Sequence, residues 1–246
     1  MTELDFKNQS IQVSGFTSGE ANLYPTPLLK RFPRKWASEY DGDTVSLPLP
    51  PEIPDDVPRV MLSNKSGTSR LELTSKRINL IRIAGDEAEL ELEATSKALA
   101  DELVAGFKVE EAEFGRIGLV AIRVTSVDSP AGLAIAKHFF QPRWLKAPLN
   151  RPESLEIHAH KVFGLKPDLL VNSWVRVKSG SLTSTGDPLI VVEQDINTLE
   201  NDRSERIFSP SDCKLFFSTA AREMEKILKF YFPADQDLQT GSRGEQ

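Results

Sequence analysis

An alternation of period two constrains this chain most. In Leu170–Lys178, Val171, Ser173, Val175 and Val177 alternate with polar or large residues. In Ser154–Val162, Leu155, Ile157 and Ala159 alternate with Glu156, His158 and His160. Leu71 and Leu73 do the same against Arg70, Glu72 and Thr74. Successive side chains of a strand point to opposite faces, so this pattern builds a sheet with one covered face. A helix would scatter the same residues around its surface.

The remaining strands follow from similar runs. Ile11–Phe16, Arg77–Ala84 and Leu189–Ile196 read as strands, and Arg59–Asn64 with Thr68–Ser75 reads as a hairpin turning at Gly67. Arg116–Val127 is nearly continuous in apolar residues, which predicts cover on both faces. Short turns between sequential strands predict antiparallel meanders.

Helices are expected near Leu28–Tyr40, over Asp86–Phe107 and within Pro130–Leu145; the start of the second is open, because Leu90 and Leu92 alternate with glutamates and would also extend a strand. In the second of these, Leu92, Leu99 and Leu103 share a face and Gly106 marks the end. The last helix has the fullest signature. Ser209 is placed to cap it, Pro210 suits the first turn and Asp212 follows three residues after the cap. Phe217, Ala221, Met224, Leu228 and Tyr231 form its apolar stripe, and Phe232-Pro233 ends it.

A meander followed by a long helix therefore occurs twice. The expected class is α+β, with two mostly antiparallel sheets or one large curved sheet and the C-terminal helix packed on it. One domain over 1–233 is expected, with halves at 57–127 and 128–233 and a disordered tail at 234–246. Half of the 16 prolines fall between residues 24 and 58. Proline removes a donor and fixes φ, so this stretch is expected to wrap irregularly. Phe32, Trp36 and Tyr40 argue that it packs onto something.

Composition excludes some classes. Thirty basic against 36 acidic side chains give a net charge of −6, which disfavours coating nucleic acid. No apolar run reaches the ~18 residues of a membrane-spanning helix. Met1–Ser10 lacks the basic and apolar regions of a signal peptide. Cys213 is the single cysteine, so an internal disulfide or a cysteine zinc site cannot form, and a cytoplasmic location is expected.

Two constellations are candidates for chemistry. His158 and His160 are spaced for one face of a strand, and with Glu193 and Asp195 they make a candidate metal site. That set would suit a metal-dependent hydrolase of phosphate-containing substrates. The bland alternative is a solvated sheet face whose carboxylates pair with Arg176 or Lys178. Lys30, Arg31, Phe32, Arg34, Lys35 and Trp36 form the densest basic segment, interleaved with aromatics, and are candidate binding residues. They would suit an acidic partner protein or nucleic acid; the alternative packs the aromatics inward. Cys213 sits in the first turn of the last helix, where a half-buried structural thiol is the expected role. No phosphate loop, nucleophile elbow or dinucleotide fingerprint is present, and no catalytic residue or cofactor is assigned.

Three segments carry a resemblance. They are Val60-Met61-Leu62-Ser63-Asn64 with Gly67 and Leu71-Glu72-Leu73; Arg116-Ile117-Gly118-Leu119-Val120-Ala121-Ile122-Arg123; and Val192-Glu193-Gln194-Asp195-Ile196-Asn197 followed by Phe216-Phe217. Over roughly Val57–Phe232 the chain resembles an uncharacterised bacterial family of sporadically distributed proteins of about this length. It departs from that family's usual Arg-Tyr-Ile-Asn at Val120-Ala121-Ile122-Arg123. The resemblance implies an α+β fold and a bacterial origin, and brings no catalytic residues. The leading expectation is a non-enzymatic adaptor of an accessory or defence system, binding another protein or itself through sheet edges or the basic-aromatic segment. The metal-dependent hydrolase and a nucleic-acid-binding adaptor are the alternatives.

Overall fold

The computed structural model describes residues 4–18, 23, 34–47, 53–85, 89–110, 113–146, 150–202 and 206–233. Among these residues, nine strands form one antiparallel sheet: β1 Lys7–Thr17, β2 Thr44–Ser46, β3 Val60–Ser63, β4 Ser69–Leu73, β5 Arg77–Ile83, β6 Phe114–Ser126, β7 Glu156–Lys166, β8 Leu169–Ser181 and β9 Pro188–Thr198. Their order across the sheet is β2-β3-β4-β5-β1-β6-β9-β8-β7. The helices are α1 Arg34–Glu39, α2 Leu92–Glu110, α3 Ala131–Phe139, α4 Pro142–Leu145 and α5 Pro210–Tyr231. Of the two arrangements expected, the single sheet is the one formed.

The order contains a repeat. β1 and β6 pair side by side at the centre. From each, the chain runs through short helical elements, then a three-stranded meander, then a long helix. The meander β3-β4-β5 returns to lie against β1, and β7-β8-β9 returns to lie against β6. β6 therefore opens the second unit, although the sequence groups it with the first. Among the described strands, β2 alone has no counterpart. It pairs with the outer edge of β3.

Parity decides what is buried. Ile11 and Val13, Ile78 and Leu80, Ile117 and Leu119, Val171 and Val177, and Val192 and Ile196 join one core with the helices. α2 contributes Leu99, Leu103 and Phe107, and α5 contributes Phe216, Phe217, Ala220 and Met224. α5 begins as its sequence predicts: Ser209 accepts from the Asp212 amide and Asp212 reaches back to the Ser209 amide. Burying one large apolar side chain contributes about 1.5–3 kcal/mol, so this seam dominates the stability.

The structure fixes the open start of the second helix and corrects its end. The helix expected over Asp86–Phe107 is observed as α2, which starts at Leu92 because the Glu91 carboxylate accepts from the Glu93 and Ala94 amides. Gly106 does not end that helix. It lets the Trp36 ring lie on it, since a Cβ there would stand 2.4 Å from the indole. Trp36 is only 2% exposed and Tyr40 is also buried, so the proline-rich stretch contributes to the core. Gly67 does turn the β3–β4 hairpin, with a φ of +72°. The tail at 234–246 lies outside the described residues.

Candidate interaction surface

The helices leave the other face of the sheet to side chains of opposite parity. Each pair, His158 with His160 and Glu193 with Asp195, shares a strand face as its spacing predicts, and the register puts both pairs on this side of the sheet. They do not converge. The register places Glu193 opposite Arg176 and Arg176 opposite His158; likewise Asp195 lies opposite Trp174 and Trp174 opposite His160. β8 thus separates the carboxylates from the imidazoles by two strand spacings, roughly 10 Å. Zinc donors lie within about 4 Å of each other, twice a metal–ligand bond of ~2 Å.

Each member also has another partner. Glu193 pairs with Arg176 at 2.6 Å, and His158 lies 2.8 Å from Glu156. His160 stacks on Trp174 with ring centroids 4.0 Å apart and meets Asn172 at 3.1 Å. Asp195 accepts from Asn197 at 2.9 Å. Burial pushes the Asp195 carboxyl above its ordinary range, against the opposing effects of Asn197 and the Arg116 charge. Among the described residues, no group of three or more His, Cys, Asp or Glu side chains is placed to hold a metal ion.

The basic segment divides differently. Lys30, Arg31 and Phe32 lie outside the described residues, Arg34 and Lys35 are in α1, and Trp36 is core. Trp36 is therefore corrected from a binding residue to a packing residue. Cys213 is buried, and burial, reinforced by Asp212, pushes its thiol up to about 12. That thiol is a poor nucleophile at neutral pH.

Sequence reasoning missed two ion clusters on the helix side. Arg123 is 1% exposed and donates to Asn8, Gln194 and Glu225 at 2.8, 2.9 and 2.6 Å. Arg82 reaches Glu102 at 2.8 Å and Glu39 at 3.0 Å. Parity was the available signal: Arg123 shares that of Leu119 and Ala121, and Arg82 shares that of Ile78 and Leu80. Both clusters tie the sheet to other elements of the fold.

The two outer strands differ. β2 is three residues long, whereas β7 has eleven and pairs only with β8 among the described strands. Ser179 donates its amide to the Leu155 carbonyl, which places that pair in a hydrogen-bonded site of the antiparallel ladder. By alternation, His158, His160 and Val162 direct their backbone N–H and C=O groups away from β8. Beside this edge lies a groove of about 370 Å³ between β7–β8 and the end of α5. Ala159, Lys161, Val175, Ile227, Phe230 and Tyr231 line it. Phe230 is 85% exposed and Val162 50%.

No protein-family profile and no curated protein sequence matches this chain. No helix among the described residues is long and apolar enough to cross a membrane.

Proposed function

We propose that this chain is a non-enzymatic interaction protein, an adaptor of a bacterial accessory or defence system, that binds a partner polypeptide by strand addition to β7. The open backbone of β7, running beside a groove of mixed apolar and charged lining, is the observation that carries this reading. A long unpaired edge recruits extended chains through main-chain hydrogen bonds, and adjoining pockets choose the side chains. The groove supplies such a pocket, floored by Ala159 and Val175 and walled by Ile227 and Phe230.

The test compares wild type with Val162→Pro, both purified from the native source. The Val162 amide points away from β8, so proline there removes no hydrogen bond of the native sheet. A stoichiometric protein partner held by wild type and lost in the variant is the expected result. A partner retained in the variant, or no partner and turnover of a substrate, would overturn the reading.

A further inference from the structure

One row of residues crosses all nine strands on the helix-free face: Val45, Met61, Glu72, Asn79, Ser14, Gly118, Asn197, Asn172 and Val162. The central pair is Ser14 and Gly118. Asn79 and Asn197 flank it on the two sides, and Met61 and Val162 stand equally far out. Beyond Met61 comes Val45 of β2. Beyond Val162 the described chain provides no strand. Among the described residues, the second unit thus has no counterpart of the edge strand that closes the first.

We infer that β7 of a second copy of this chain fills that place, pairing antiparallel about a two-fold axis at Val162. This rests on the reading of β7 as the docking edge and names its occupant. Self-pairing preserves parity, so helix-side residues meet helix-side residues and the outward backbone groups meet each other. An axis at Val162 sets Val162 against its own copy, Lys161 against Phe163 and His160 against Gly164. Val162 is half-exposed and gains apolar cover. Lys161 already places its ammonium 4.5 Å from the Phe163 ring centroid of its own strand, so the two are chemically compatible across the seam. Gly164 leaves room for the stacked His160 and Trp174.

Neighbouring registers are worse. An axis at Lys161 brings two ammonium groups face to face in the closer, non-hydrogen-bonded type of pair. An axis at His160 opposes the two imidazoles and sets Val162 against the polar His158. An isologous contact of this kind closes on itself and yields a dimer rather than a filament.

The full chain is tested by sedimentation and by cysteine cross-linking. Wild type is expected at twice its 27.4 kDa mass, falling to the monomer on dilution. Val162→Cys should form an intermolecular disulfide at least tenfold faster than Lys161→Cys, because only directly opposed residues lie close enough. The buried Cys213 stays out of the reaction. Val162→Pro and, as a second variant, Val162→Lys should both be monomeric with wild-type circular dichroism. A wild-type chain that is monomeric at every concentration overturns the second copy as occupant. Loss of a co-purified partner in Val162→Pro would then still uphold β7 as a docking edge. A dimer that survives both variants overturns the edge itself, and faster linkage through Lys161→Cys overturns the register.

Discussion

Replacing Arg123 with methionine isolates the clearest buried polar cluster. Methionine keeps an unbranched apolar stem in the same space but removes every donor. Three acceptors lose their partner: Gln194 Oε1, which is buried, Asn8 Oδ1, which is half-buried, and the Glu225 carboxylate. A buried acceptor left unsatisfied costs about 1–3 kcal/mol, and a half-buried one roughly half as much. Glu225 is 47% exposed in its side chain and returns to water at little cost. The sum is a loss of about 2–4 kcal/mol. For a domain of this size each kcal/mol moves the midpoint by about 2–4 °C, so Tm should fall by roughly 5–15 °C. Urea unfolding followed by circular dichroism measures the loss directly, with an unchanged slope showing that the unfolded state is unaltered. Glu225→Gln should cost less, because Arg123 keeps all three acceptors. Stability of Arg123→Met within about 0.5 kcal/mol of wild type, the usual range for a neutral surface change, would refute this account of the cluster.

Other expectations follow from single contacts. Gly106→Ala should destabilise by about 1–3 kcal/mol through its clash with Trp36. In a Trp36→Ala background the same change should instead stabilise by about 1 kcal/mol through helix propensity; equal signs in both backgrounds would contradict the packing assigned to Gly106. Ser209→Ala should cost about 1 kcal/mol, read from the urea midpoint, because it removes the cap of α5. Asp195 binds its proton more tightly folded than unfolded, so its contribution to stability declines as pH rises above the ordinary carboxylate range. Asp195→Asn should therefore flatten the pH dependence of the urea midpoint and raise the midpoint at pH 7; a lowered one would reverse the sign. Cys213 should react with a thiol reagent at pH 8 only as fast as the chain unfolds.

Local pattern made the strands legible, because period two survives in a single sequence. Leu71 and Leu73, or Val175 and Val177, show which face is covered without reference to any neighbour. The cap of α5 was legible for the same reason, since Ser209, Pro210 and Asp212 lie within one turn. Pairing was harder to read. That β1 lies beside both β5 and β6 depends on contacts far apart in sequence, and no side chain of β1 announces them. Gly106 looked like a stop signal because the Trp36 ring that needs it lies about 70 residues upstream. His158 and His160 were legible as one pair on a strand face and Glu193 and Asp195 as another, yet whether the pairs meet depends on β8 lying between their strands. The β7 edge could not be read at all, because strand order across the sheet decides which strand is outermost.

Residue-resolved hydrogen exchange along β7 tests the open edge most directly. In dilute solution the outward amides of His158, His160 and Val162 should exchange fast while those of Ala159, Lys161 and Phe163 are protected. At concentrations where the dimer forms, the outward set should become protected as well. Uniform protection in dilute solution, or outward amides that stay fast in the concentrated sample, would contradict the account.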